Sequence, residues 1–590
     1  MKVSDYVISV IKELGIKHVF ILPGGGAMHL IDSLGKSDIK HITVLHEQAG
    51  AIAAQAYAMY TNELAVEIVT SGPGGTNAIT GCASAWAESI PVLFISGQAK
   101  RETLIRNSGL RQSGSQEVNI LAMVKSITKF SAQILEPQDI VYNIQKAITI
   151  AISGRPGPVW LDIPVDVQGS EIIAPVETFT PVSCYYEPKQ IHMADNVNKT
   201  LQLLKDSQKP IILAGYGIQA SAAEDEFHKL VRILGIPVLT TWKAIGLMTE
   251  DDPLYIGRPG KIGQRGANFA QQNCDLIICI GARLDMEQIA FNPRHFAFKA
   301  KKVIVDVDHA EMNKLDMDID VRIIRDAGEF ISALLPQSHP IPRPAWLKRC
   351  QEWKEKYPVS LPEYRYGGQS LFINLYSFME DLSDISPNDS VLVPGSSGQG
   401  VEVFMQGWKV KEGQNFVFAP GLGAMGFDIP MALGAAVASD KQVICITGDG
   451  GFQLNIQDLE TIHRLQLPVK FFVLSNGGYG SIMSMQRNYF EGRYVGSNPE
   501  SGLTFPDFAK IADAYQFSFY RIRTNLKIKE TLKKVLDTPG PVICEVICDP
   551  MQQQQPRVSS VINPDGTIES KPMEDLFPFL PRDEFEENMV

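Results

Sequence analysis

No CxxC pair, no block of basic residues and no long apolar run occurs in these 590 residues. The eight cysteines (82, 184, 274, 279, 350, 445, 544 and 548) are scattered, several inside apolar runs such as "DLIICIG" and "PVICEVIC". They read as buried free thiols rather than as a disulfide framework or a zinc site. Lys and Arg total 54 against 66 Asp and Glu, a net charge of −12. Nucleic acid and anionic membrane are therefore poor partners, and an anionic ligand must find local donors. No stretch approaches 18 uninterrupted apolar residues, and "MKVSDYVISVIKELGIKHVF" reads as an amphipathic helix followed by a strand, without the apolar core of a signal peptide. A cytoplasmic protein without membrane contact is expected.

What is present is a globular composition, 45% hydrophobic and 20% charged, in a chain too long for one core. Short β-branched runs such as "HVFIL", "AVEIVTSG", "PIILAG", "KVIVDVD", "VICITG" and "VKFFVLSN" alternate with helical stretches throughout. That alternation predicts an α/β fold of doubly wound parallel sheets. Residues 167–190 and 334–350 are proline-bearing and lack helical periodicity, so linkers are expected there. Three domains result, 1–165, 190–335 and 370–550, followed by a tail, 551–590, rich in Pro, Gln and charge.

The outer two domains echo each other. "IVTSGPGGTNAITGCASAWAESIPVLFISG" (68–97) and "CITGDGGFQLNIQDLETIHRLQLPVKFFVLSNG" (445–477) both run strand, Ser/Thr-Gly-x-Gly-Gly, helix, Ile/Leu-Pro-Val, strand. This repeat predicts two domains of one topology. Pro73 stands where the second copy has Asp449, so only the second copy is expected to hold a cation. In an open parallel sheet, ligands sit beyond the carboxyl ends of the strands, where backbone N–H groups meet phosphate. Gly448, Gly450 and Gly451 allow close approach there, while Asp449 and Asn476 each supply a hard oxygen. The pattern suits Mg²⁺ held between few protein oxygens and a diphosphate.

This stretch resembles the thiamin diphosphate signature, GDG followed by Asn, with 25 residues (451–475) between Gly450 and Asn476. The resemblance extends over nearly the whole chain and is to the acetolactate synthase family. It rests on "LPGGGAMHLIDSL", "LHEQAGAIAAQAYA", "TSGPGGTNAITG", "SGRPGPVWLDIPVDVQ", "GLGAMGFDIPMALGAA" and the metal motif, in that order. It implies aminopyrimidine-binding, central FAD-type and diphosphate-binding domains, in that order. Asp449, Asn476 and the Gly478 carbonyl would ligate Mg²⁺, with Gly450 and Gly451 near the diphosphate. Glu47 would protonate the aminopyrimidine ring, Gly423 and Met425 would support that ring, and Gln399 would contact the diphosphate, although Gly400 replaces the family's histidine. Gln116 matches a glutamine near the reacting carbons; a solvated loop glutamine is the competing reading. His29 and His46 receive no role. In this family the glutamate and the metal come from different subunits, so a homodimer or homotetramer with its active sites at the subunit interface is expected.

The middle segments "AGYGI", "IGARLD" and "VDVDHAEMNK" resemble FAD-binding segments, with Arg283 and Asp306 in matching positions. Middle domains of this superfamily also exist without flavin, so structural FAD stays an expectation. The implied activity is a carboligase that decarboxylates a 2-oxo acid donor, pyruvate by resemblance, and transfers the two-carbon unit to a carbonyl acceptor. Four departures from the family pattern bear on the acceptor: Ser115 for phenylalanine, Val165 for lysine, Glu287 for arginine and Met485 for tryptophan. They remove two cations and two large aromatic groups, which favours a larger, uncharged carbonyl such as a nucleotide-linked keto-sugar. Acetolactate synthase and flavin-dependent pyruvate oxidase are the alternative activities. A cofactor-binding paralogue without activity is disfavoured by the presence of Glu47, Asp449 and Asn476.

Overall fold

The apolar β-branched runs form strands buried on both faces, as parallel sheets require. The computed structural model describes residues 1–105, 108–173, 177–179, 193–366, 372–525, 527–562 and 565–589. Its first sheet contains β1 (His18–Ile21), β2 (Lys40–Thr43), β3 (Ala65–Val69), β4 (Val92–Gln98), β5 (Phe130–Gln133) and β6 (Val159–Pro164). The second contains β7 (Pro210–Ala214), β8 (Val238–Thr240), β9 (Tyr255–Gly257), β10 (Leu276–Ile280), β11 (Lys301–Asp306) and β12 (Val321–Ile324). The third contains β13 (Val391–Val393), β14 (Asn415–Phe416), β15 (Val443–Gly448), β16 (Val469–Ser475), β17 (Ser518–Ile522) and β18 (Val542–Ile547). All three are six-stranded and parallel.

The outer sheets share one strand order. The first runs β2-β1-β3-β4-β6-β5 and the third β14-β13-β15-β16-β18-β17, so the repeat seen in sequence is a repeat of topology. The middle sheet runs β12-β11-β10-β7-β8-β9, the order of dinucleotide-binding folds, with its switch point between β7 and β10.

The outer domains also share a core. The helix Glu47–Thr61 packs along the helix Asp428–Ser439, and both are buried nearly all round, which explains why neither has a polar face. Small side chains permit the contact: a Cβ on Gly434 would stand 2.1 Å from the Ala53 carbonyl oxygen.

Two expectations need correction. The linker placed at 334–350 contains most of a helix, Pro344–Lys356, with Trp346, Cys350 and Trp353 buried. Those residues are spaced i, i+4, i+7, a helical stripe that the upstream prolines disguised, and Pro344 is tolerated because it opens the helix. The other linker begins with a short helix, Val165–Gln168, while 174–176 and 180–190 lie outside the described residues. The final segment, read as a tail, folds back on the middle domain. Arg265 donates to the Leu576 and Pro578 carbonyls, Asn268 Nδ2 to the Met573 carbonyl, and Trp353 Nε1 to Asn588 Oδ1. Seven of the eight cysteines are buried and free, and Cys184 lies outside the described residues. No helix among the described residues is long and apolar enough to cross a membrane.

Candidate active site

β15 and β16 end side by side, with Gly448 opposite Leu474, so parallel pairing brings Asp449 to the turn that follows Ser475. Asp449 Oδ2 accepts hydrogen bonds from the Asn476 and Gly477 N–H groups at 3.0 and 2.8 Å, and Oδ1 from the Gly450 N–H at 2.9 Å. Asn476 Oδ1 accepts from the Gly478 N–H at 3.2 Å. Asp449 is 2% exposed, and no cationic side chain pairs with it among the described residues. Burial pushes its carboxyl up to about 7 although four backbone N–H groups pull it down. A buried carboxylate served only by backbone dipoles lacks a counter-charge. The residues fit a small divalent cation, bound by Asp449 and the Asn476 amide oxygen near the Gly478 main chain. No cluster of three or more His, Cys, Asp or Glu suits a metal among the described residues, so an ion here would complete its shell with phosphate oxygens and water.

Several other expected residues gather at the same turn. Gln399 and Asn476 flank Gly480, and Gly451 lies against Asp428. A Cβ on Gly448 would meet no atom within 4 Å, as a ligand-facing turn requires. Gly423, in left-handed backbone (φ 61°), and Met425, 40% exposed, stand on the loop before the Asp428 helix. Gly421 N–H donates to Glu88 Oε1 at 2.5 Å, and Glu88 pairs with Lys243 at 3.1 Å, tying that loop to the first and middle domains.

Glu47 and Gln116 stand apart from this group. No hydrogen bond or ion pair joins either to Asp449 or Asn476 within the chain. Glu47 opens its helix, is 7% exposed, and accepts a hydrogen bond at Oε2 from Asn77 Nδ2 at 2.9 Å. Gln116 is exposed, in left-handed backbone (φ 59°), and closes on the first copy of the repeated turn. Ser71 Oγ donates to its Oε1 at 3.4 Å, and a Cβ on Gly72 would meet its carbonyl oxygen at 2.5 Å.

Sequence reasoning passed over Glu67. It lies wholly buried on β3, neither carboxyl oxygen has a partner among the described residues, and Gly50, one turn from Glu47, sits against it. Burial, then the Glu47 charge, raises its carboxyl well above the usual range. A glutamate inside the apolar run "AVEIV" was the available signal. Asn77 gave none, because only the fold brings it to Glu47.

At the switch point of the middle sheet lies a cavity of about 780 Å³, within the range of cofactor sites. All three domains line it, through Arg155, Tyr216, Lys243, Arg283, Asp306 and Pro420 among others. Arg283 Nε pairs with Glu311 at 3.2 Å, and Arg155 with Asp308 and Glu311 at 2.9 and 2.8 Å. Burial pushes the Asp306 carboxyl up to about 6. Among the described residues its carboxyl accepts one hydrogen bond, from the Asp308 N–H at 2.9 Å, which leaves an acceptor for a ribose hydroxyl. Size, topology and donor set fit a dinucleotide such as FAD. The four departures fall on different elements: Ser115 beside Gln116, Val165 opening the short helix after β6, Glu287 on the cavity wall, and Met485, 45% exposed, on the helix Gly480–Tyr489.

Two outer domains of one topology, one of them with a turn whose residues fit a cation, flank a middle domain of dinucleotide-binding topology. The sequence matches the thiamine pyrophosphate enzyme N-terminal TPP binding domain over residues 1–123, the central domain over 197–334 and the C-terminal TPP binding domain over 396–546. The chain belongs to the thiamine pyrophosphate enzymes, and within them to the acetolactate synthase type. It is 34% identical over 566 residues to the probable acetolactate synthase large subunit of Methanocaldococcus jannaschii, covering 94% of this chain and 93% of that protein. It is 33% identical over 579 residues to the acetolactate synthase isozyme 2 large subunit of Escherichia coli, covering 98% and 100%. With acetolactate synthase 1, chloroplastic, of Oryza sativa it shares 32% identity over 579 residues, covering 95% and 86%. The protein is a thiamin diphosphate-dependent carboligase of 2-oxo acids.

Proposed function

We propose that this enzyme takes pyruvate as donor and passes the two-carbon unit to the carbonyl of a larger hydroxylated acceptor, a nucleotide-linked keto-sugar, with Mg²⁺ in the Asp449 turn and FAD as a structural group in the middle cavity. The observation that carries the cofactor assignment is the buried Asp449 carboxylate, which has backbone donors and no cationic partner. Bound thiamin diphosphate supplies the electron sink for decarboxylation. Asp449, Asn476 and the Gly478 carbonyl would hold the Mg²⁺, with Gly448, Gly450, Gly451 and Gln399 at the diphosphate and Gly423 and Met425 at the aminopyrimidine. Asn77 fixes Glu47 Oε2, which leaves Oε1 as the atom that holds the working proton. Gln116, on the exposed rim beside Ser71, orients the acceptor. In net terms the bond to the donor carboxylate breaks, CO₂ leaves, a C–C bond forms at the acceptor carbonyl carbon, and the acceptor oxygen takes one proton.

Exposed Met425, Leu454, Ile482 and Met485 around the Asp449 domain support an active site completed between two subunits of a homo-oligomer. Product identification by mass spectrometry, with pyruvate and candidate acceptors, tests the reading. A branched adduct of a nucleotide keto-sugar supports it. Acetolactate as the dominant product in the presence of such acceptors assigns the simpler synthase activity, and flavin bleaching by pyruvate without oxygen assigns the oxidase.

A further inference from the structure

Beside the Asp449 turn, the helix Gly398–Gly407 carries Gln399, Glu402 and Gln406 at i, i+3 and i+7, one face of a helix. The segment 552–558 lies along that face. Gln399 Nε2 donates to the Gln552 carbonyl at 2.9 Å and Gln406 Nε2 to the Pro556 carbonyl at 2.6 Å. The same segment then reaches the cavity wall, where the Val558 N–H donates to the Lys261 carbonyl at 2.7 Å. Lys261 pairs there with Glu287 at 3.2 Å.

This junction concentrates unmet hydrogen bonding. Five buried polar atoms on it have no partner among the described residues: Glu402 Oε2, Gln552 Nε2, Gln554 Nε2, Arg557 Nε and Ser559 Oγ. Native interiors leave only a few such groups per hundred residues, and a cluster of them calls for a ligand or ordered water. Burial, opposed by Lys261 and Arg557 and reinforced by Glu287, pushes the Glu402 carboxyl up to about 7, a sign that its charge is poorly served where it stands.

The set decides what could satisfy it. It holds amide and guanidinium donors, a carboxylate acceptor and a hydroxyl, and its two cations stand against two carboxylates. A small 2-oxo acid offers acceptors only and would bring its own carboxylate toward Glu402 and Glu287. A hydroxyl both donates and accepts.

We infer that the junction between the Gly398–Gly407 helix, the Lys261–Glu287 edge of the cavity and the 552–559 segment is the acceptor subsite, and that Glu402 accepts hydrogen bonds from the hydroxyls of a polyhydroxylated carbonyl compound, with Gln554 and Arg557 donating to them. The inference rests on the carboligase reading above and assigns the residues that select its acceptor.

The test uses the enzyme loaded with thiamin diphosphate, Mg²⁺ and flavin. Pyruvate is the donor, and glyceraldehyde and propanal compete as acceptors that differ in their hydroxyls, with products quantified by mass spectrometry. Wild type favours glyceraldehyde, and Glu402→Gln, an isostere that keeps the packing, lowers that preference about tenfold, the order expected for one hydrogen bond to a charged group. Arg557→Gln lowers it in the same direction, which guards against a folding defect in either variant. If wild type ligates both aldehydes and neither variant shifts the ratio, the subsite is wrong and the carboligase reading stands. If wild type releases CO₂ from pyruvate and ligates neither, the carboligase reading fails and the subsite with it.

Discussion

The turns Ser71-Gly72-Pro73-Gly74 and Thr447-Gly448-Asp449-Gly450 leave the third strand of two sheets with the same strand order, yet they do different work. In the first, Gly72 is held at φ 63°, and the Gln116 backbone closes over it. In the second, a Cβ on Gly448 would meet nothing within 4 Å, and Asp449 accepts three backbone hydrogen bonds with no cationic side chain paired to it among the described residues. Shared topology therefore fixes where a ligand turn can form, and the residues that fill or vacate its mouth decide whether it holds one. On the proposed reading the duplicated domains divide one site, the Asp449 copy holding the metal and the other supplying Glu47 as the proton-holding carboxylate.

That division can be broken at five residues. Asp449→Ala has the largest expected effect: Mg²⁺-dependent binding of thiamin diphosphate falls at least about a hundredfold by calorimetry, because the ion loses its one carboxylate. Unchanged affinity would mean another ligand set. Glu47→Gln is expected to leave that binding near wild type while turnover drops roughly 10²–10⁴-fold, the range for a general acid–base group; full turnover would remove Glu47 from the chemistry.

The glycines sharpen the contrast. Gly72→Ala forces a side chain into left-handed backbone against Gln116 and is expected to cost about 1–3 kcal/mol in urea unfolding. Gly448→Ala leaves the unfolding midpoint in place and weakens cofactor binding instead. Equal stability losses in the two would erase the distinction.

The smallest effect concerns Glu67. Its folded value is raised, so its neutral form is what the fold accommodates. Its contribution is intact below the unfolded carboxylate value near 4.5 and is lost as pH rises toward the folded one. Glu67→Gln is therefore expected to flatten the fall of thermal stability between pH 5 and pH 8 by a few degrees, measured by calorimetry. An unchanged slope would show that the fold does not hold Glu67 protonated across that window.

The sequence made the parallel sheets, the duplicated topology and the Asp449–Asn476 turn legible, because each rests on local pattern: continuous β-branched runs buried on both faces, a strand–glycine–helix order, and two carboxyl-end turns on adjacent strands. It hid what tertiary contact creates. Trp346, Cys350 and Trp353 form a helix stripe behind prolines. Asn77 meets Glu47 only after two helices pack, and the Arg557 charge acts on Glu402 only because residues 552–558 lie along the Gly398–Gly407 helix. The departures Ser115, Val165, Glu287 and Met485 read as one pocket in sequence but sit on separate elements.

The central claim is that only the second copy of the turn holds a cation. Mn²⁺ titration of the protein with thiamin diphosphate, followed by electron paramagnetic resonance, counts the ions directly. One tightly bound Mn²⁺ per chain, lost in Asp449→Ala, is the predicted result. Two per chain, or one that survives Asp449→Ala, would contradict it.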